Sequence, residues 1–283
     1  MASTIEKLMN RKNGGDKKPD STNETVSSSL QTNVASDPAQ PHSKQFVSLN
    51  RADLAASGYI VQDAKSETVE EYRLIKRRLL KGVEANKKLG VDIPNMVLVT
   101  SALQGDGKTF TALNLALSLS MEMDRTALLI DGDVMKSGVS RTLDIASDAG
   151  FVDLLTNQEQ EFSELLFKTD VPNLSILPSG KSGMRATELF SSDRMKAVCQ
   201  EISNRYPDRI IIIDSPPLLQ TTESQALAQI IPNIVFVVSA SHTPTTAISN
   251  AMELLDKEKN INFVLNKVRL NGSGMYYYYN TEA

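Results

Sequence analysis

Six short, almost wholly apolar runs constrain this chain more than any other feature. They are "MVLVT" (96–100), "ALLID" (127–131), "LSILP" (174–178), "IIIID" (210–214), "IVFVV" (234–238) and "INFVL" (261–265). A strand with one wet face alternates apolar and polar residues, whereas an unbroken β-branched run needs cover on both faces. Helix-like stretches lie between the runs, near 108–122, 185–205, 222–231 and 245–258. The alternation predicts a doubly wound α/β domain, a mainly parallel sheet flanked by helices, over roughly residues 60 to 270. The 283 residues, 41% of them hydrophobic, are enough for a sizeable core in one or two domains.

The flanks are different in kind. Residues 10–43 are rich in Ser, Thr, Asn, Asp, Lys and Pro. A segment so poor in large apolar residues cannot offset its ordering entropy, so residues 1–45 are expected to be disordered. Within them Ile5, Leu8 and Met9 stand at helical spacing, which suits either a short docking helix or a frayed terminus. Residues 46–270 are assigned to the folded domain, and 271–283 to a flexible tail. A net charge of −4 leaves no general footprint for nucleic acid. Cys199 is the single cysteine, which excludes an internal disulfide and a multi-thiolate metal site. No run approaches the ~18 apolar residues of a membrane span. "MASTIEKLMNRKNGG" lacks the apolar core of a signal peptide, so the expected place is the cytoplasm.

After "MVLVT" comes "SALQGDGKTF", with Ala102, four residues, then Gly107-Lys108-Thr109. Gly105 and Gly107 let the backbone wrap closely, so that its N–H groups and a helix N-terminus face an anion. Lys108 is expected to reach the outer phosphates, and the Thr109 hydroxyl to bind magnesium. Asp106 and Phe110 fall within the same nucleotide-binding stretch. Ala102 replaces the first glycine of the usual pattern, and Asp106 brings a negative charge that repels phosphate unless it points outward. A Gly-Lys-Thr tripeptide arises by chance too often to decide anything alone.

Two further runs decide it. Asp131 and Asp133 end the strand of "ALLIDGD", and Asp214 ends "RIIIID". In a parallel sheet all strand C-termini share one edge, where ligands bind. One such aspartate reads equally well as a turn residue, but three beside a phosphate loop make a nucleotide site for ATP and Mg²⁺. Asp131 and Asp214 are expected in the magnesium shell. Asp133 is the candidate to accept a proton from an attacking hydroxyl. Lys108, Asp131 and Asp133 thus form the catalytic set. Asn266, ending "FVLN", suits either a contact to the base or ribose or a turn.

The loop, "LLIDGD" and "IIIIDSPP" together resemble the bacterial tyrosine kinases over about residues 60–283. "EEYRLIKRRLL" looks like that family's Glu-x-x-Arg-x-x-Arg helix, with Glu70 and Arg73 in place and Lys76 where the second Arg belongs. With "STIEKL" and "LNRADLAASGYI", the likeness is nearest to the exosortase-associated tyrosine autokinases of exopolysaccharide clusters. The resemblance implies a ring-like homo-oligomer with Glu70, Arg73 and Lys76 at the subunit contact. It also implies a membrane chain-length (co-polymerase) protein as activator, a phosphotyrosine phosphatase as partner, and peripheral recruitment to the inner membrane. Lys76 lacks the bidentate geometry of arginine, and Lys136 stands where the family usually has arginine.

Tyr276, Tyr277, Tyr278 and Tyr279 follow "NGSG" and are the expected phosphoacceptors. Their hydroxyls are weak nucleophiles until a carboxylate such as Asp133 takes the proton. Two other functions fit parts of the pattern. An ATPase switch of the partition or cell-division type shares the fold, but Leu103 stands where those proteins carry a second lysine. A catalytically inactive nucleotide-binding regulator of polysaccharide export is the other.

Overall fold

The computed structural model describes residues 45–61, 66–145, 147–181 and 186–268. Its strands are β1 (Gln45–Val47), β2 (Met96–Ser101), β3 (Thr126–Asp131), β4 (Phe167–Thr169), β5 (Leu174–Leu177), β6 (Arg209–Asp214), β7 (Asn233–Ser239) and β8 (Asn260–Asn266). They form one sheet in the order β1-β4-β5-β3-β6-β2-β7-β8. Every pairing is parallel except β4 with β5. The helices are α1 (Arg51–Ala56), α2 (Glu67–Lys88), α3 (Lys108–Ser120), α4 (Gly138–Thr142), α5 (Phe151–Thr156), α6 (Phe162–Leu165), α7 (Ala186–Phe190), α8 (Asp193–Arg205), α9 (Thr222–Ile230) and α10 (Thr245–Glu253).

The apolar runs form strands because both faces of each are covered. Val97, Val99, Leu129, Ile210, Ile212, Val235 and Val237 pack with α2 and α3 into one core. Their neighbours Met96, Leu98, Leu128, Ile130, Ile211, Ile213, Ile234 and Phe236 pack on the other face with α5, α8, α9 and α10. The two-residue period of a strand therefore divides each run between two cores. Cys199 lies in the second core, where burial pushes its thiol up to about 12, so it is an inert packing residue.

The sheet takes in one strand ahead of the alternating pattern that starts near residue 60: β1, paired with β4. Neither β1 nor β4 stands out in the sequence: "QFV" and "FKT" are too short and too polar. The helix expected over 185–205 is two, broken at Ser191–Ser192, where Ser192 caps α8 by accepting the Met195 N–H.

Topology places the site. From β2 the chain crosses by α3 to β3 on one side, and from β6 by α9 to β7 on the other. α3 packs on one sheet face and α9 on the opposite one. The strand order thus reverses around β2 and opens a crevice at its C-terminal end. No described helix is long and apolar enough to cross a membrane.

Candidate nucleotide site

The loop between β2 and α3 fills that crevice. Gly105 and Gly107 have φ of 87° and 102°, a left-handed conformation that side chains resist. A Cβ on Gly107 would also lie 1.9 Å from the Asn266 amide nitrogen. α2, α8 and α9 each have a Ser or Thr cap on their first turn. α3 begins at Gly107 with no side-chain cap and no acidic residue in its first turn. Its leading N–H groups and its dipole are left for an anion.

Asp106 does not point outward. Its carboxylate points inward, fully buried, accepting the Leu103 N–H at 3.1 Å and the Thr243 hydroxyl at 2.7 Å. Thr243 in turn accepts the Ser239 N–H at the end of β7. Asn266 donates its amide to the Asp106 carbonyl at 3.0 Å, and Lys267 donates its ammonium to the Gly105 carbonyl at 2.6 Å. The end of β8 therefore straps the loop. Asn266 also accepts the Lys267 N–H, and Lys267 has φ 57°, so the turn role expected for Asn266 is present together with the strap. Phe110 lies one residue past the loop and packs its ring on Tyr59 at 5.0 Å.

Asp131 and Asp214 are direct neighbours across β3 and β6, both fully buried. Asp131 Oδ2 accepts the N–H and hydroxyl of Ser140 at 2.9 and 2.8 Å, while Oδ1 has no partner. Asp214 Oδ2 accepts the Thr109 hydroxyl at 2.6 Å, and its Oδ1 is likewise alone. Burial raises both groups, Asp131 to about 6 and Asp214 to about 8. Asp133 accepts the Lys136 N–H at 3.1 Å. Lys108 is only 8% exposed; burial lowers its pKa against the opposing pull of Asp214, Asp133 and Asp106.

A buried polar oxygen without a partner costs about 1–3 kcal/mol. Two such oxygens on paired residues of adjacent strands, one residue of the pair holding a threonine hydroxyl, fit a hard divalent cation with its water shell. Among the described residues, no three His, Cys, Asp or Glu side chains could hold a metal by themselves. The donor set thus suits an ion that also takes phosphate and water ligands, as magnesium does.

Comparison with known proteins then places the chain. The AAA domain family (AAA_31) matches residues 96–267. The putative tyrosine-protein kinase CapB of Staphylococcus aureus is 29% identical over 223 residues, 78% of this chain and 93% of CapB. The tyrosine-protein kinase CpsD of Streptococcus agalactiae is 30% identical over 178 residues, 61% of this chain and 75% of CpsD.

The chain belongs to the bacterial tyrosine kinases. Among solved structures, the kinase domain of VpsO has a TM-score of 0.56 at 29% identity, covering 70% of this chain and 98% of that one. The chimerical protein CapA2B2, at 22% identity, shares the fold with a TM-score of 0.64 over 79% of this chain and 94% of that one.

Two of the kinase's expected subunit-contact residues are at the surface: Arg73 and Glu70 pair with each other at 2.5 Å. Lys76 is not. It is 7% exposed, donating to the Ser118 carbonyl at 2.9 Å and pairing with Glu122 at 2.5 Å, so it ties α2 to α3 within its own subunit. An ammonium held by two partners in a buried seat is not offered to a neighbour, and its expected role is corrected accordingly. Tyr276 to Tyr279 lie outside the described residues. Sequence reasoning misses Ser140, Thr243 and Lys267; only Lys267, following "FVLN", carries a local signal.

Proposed function

We propose that this kinase binds Mg·ATP at the β2–α3 loop and transfers the γ-phosphoryl group to tyrosines 276–279 of its own tail or a second subunit's. The observation that carries the reading is the pair of partnerless buried oxygens on Asp131 and Asp214. They stand beside Thr109 and Lys108, in a chain of this family that continues past Asn266 into four tyrosines.

The residues divide the work as follows. The uncapped first turn of α3 and the Lys108 ammonium hold the β- and γ-phosphates and spread their charge. Thr109, Asp131 and Asp214 are the residues that would hold a magnesium ion. When bound, that ion draws charge off the phosphate oxygens. The acceptor enters by the 840 Å³ cleft lined by Ser137, Ser140, Arg141, Ser179 and Gly180, next to the turn that carries Asp133. Asp133 takes the proton of the tyrosine hydroxyl as its oxygen forms a bond to the γ-phosphorus. The bond from that phosphorus to the β–γ bridging oxygen breaks, and its electron pair leaves with ADP.

Capsule and exopolysaccharide kinases among the relatives support a role in controlling polymer length and export. A membrane co-polymerase as activator, a phosphatase as the reversing partner and peripheral membrane recruitment belong to the same proposal and rest on the sequence resemblance. The test is incubation of the whole chain with γ-labelled ATP and magnesium, alone and with the cytoplasmic tail of the co-polymerase. The expected result is label on tyrosine, lost in Lys108→Met and in a chain whose four tail tyrosines are Phe. Label that persists in either variant would overturn the assignment.

A further inference from the structure

A basic groove runs along α2, remote from the nucleotide crevice and unused by the chemistry above. α2 carries seven Lys or Arg against four Glu, in a chain of net charge −4. The groove encloses 640 Å³ between α2 and Glu122; Leu80 and Ala85 are also in its lining. Its carboxylates are already matched, Glu122 by Lys76 and Glu84 by Arg125, while Arg73 is held by Glu70. Arg77, Lys81 and Lys88 are exposed, with no ion-pair partner among the described residues. Arg77 and Lys81 thus offer cations without an ion-pair partner, while Lys88 also faces the charge of Glu84.

We infer that this groove receives the tyrosine tail after it is phosphorylated. The inference rests on the kinase reading above, and four observations fix the occupant. Charge is the first: between 269 and 283 the unmodified tail carries only Arg269 and Glu282 as charged side chains. Each phosphate adds about −1.5 to −2. The tail therefore turns into a polyanion only as product, so the groove discriminates product from substrate.

Spacing is the second. Arg77 and Lys81 are four residues apart, about 6 Å along the helix. Alternate side chains of an extended tail, such as Tyr276 and Tyr278, are about 6.8 Å apart on one face. Two phosphates thus meet successive cations.

Reach is the third. The end of β8 lies beside the first half of α2, since one cleft is lined by Tyr72, Ile75, Val264 and Asn266. From Val268, eight residues lead to Tyr276, about 27 Å when extended. A helix is about 10–12 Å thick, so the tail passes around α2 with slack, in its own subunit or from another. Shape is the fourth: a groove between α2 and Glu122 suits a narrow chain better than a flat anionic membrane. A tail seated there occupies the helix that bears Glu70 and Arg73, and it clears the nucleotide crevice for the next turnover.

The test uses the full chain with its four tail tyrosines changed to Phe, which leaves the groove open. A labelled synthetic peptide of residues 271–283, phosphorylated at Tyr276 and Tyr278, is titrated by fluorescence anisotropy. The expected result is binding at least 10-fold tighter than that of the unmodified peptide and weakened by salt. Arg77→Ala with Lys81→Ala is expected to weaken it at least 10-fold with Tm unchanged. Equal binding of the two peptides, or indifference to the double substitution, would overturn the inference. So would phosphatidylglycerol vesicles that bind through Arg77 and Lys81 while the phosphopeptide does not; that result would give the groove to a membrane surface. Because the peptide arrives already phosphorylated, its failure to bind counts against the groove alone. Failure of the chain to label its own tail counts first against the kinase reading, and removes the occupant with it even where the groove binds the phosphopeptide.

Discussion

Asp214 carries the tension of the site in one side chain. Its carboxyl is fully buried, one oxygen taking the Thr109 hydroxyl and the other left alone. Burial, reinforced by the charges of Asp131 and Asp133, pushes it up to about 8. A raised carboxyl pKa means that the folded protein keeps a proton which the unfolded chain gives up above about pH 4. The stability from this group is therefore full below about pH 4 and is lost as pH rises to 8. In chelated, nucleotide-free protein, Asp214→Asn is expected to reduce the fall of Tm between pH 5 and 8. Thermal scans of both proteins across that range check this, and parallel curves would contradict it. In the proposed mechanism Asp133 acts on the proton rather than on the metal. Asp133→Asn is expected to lower tyrosine labelling about 10²–10⁴-fold while nucleotide affinity stays within about threefold. The aspartates are legible in the sequence because each ends an apolar run. Ser140, which holds Asp131, and Thr243, which holds Asp106, are not, because only the fold brings them to their partners.

At the scale of elements, the β2–α3 loop and α2 carry the most exposed claims. Gly107 combines φ 102° with the Asn266 amide where a Cβ would go. Gly107→Ala is therefore expected to abolish nucleotide binding, read by calorimetry, with the circular dichroism spectrum retained. The periodicity of α2 predicts an amphipathic helix with Val69, Tyr72, Ile75, Leu79 and Val83 inward; four of these are buried and Ile75 is half-buried. The same periodicity also places Lys76 on the buried side, yet a basic residue in a basic helix reads as surface. What seats it is the Ser118 carbonyl at the end of α3, 42 residues away, together with Glu122. Lys76→Met leaves that carbonyl without its donor, and Glu122 is partly exposed, so the expected loss is about 1–2 kcal/mol. At this chain size that is a Tm lower by about 2–4 °C per kcal/mol, with nucleotide affinity unchanged. β1 and β4 escape notice for a simpler reason: three-residue strands have no periodicity to read.

Across the whole molecule, the reversal of strand order around β2 brings the phosphate loop, the three aspartates and the end of β8 to one sheet edge. That convergence is legible in the sequence because parallel strands share an edge, and six apolar runs mark which residues end them. What the chain does with the γ-phosphate is the central claim, and a single turnover tests it most directly. Protein in excess over ATP is mixed with magnesium and the co-polymerase tail, then intact-mass and peptide mass spectrometry follow the phosphate. The account predicts that it appears covalently on residues 276–279 as ADP forms. Stoichiometric release of inorganic phosphate, with that peptide unmodified, would contradict it.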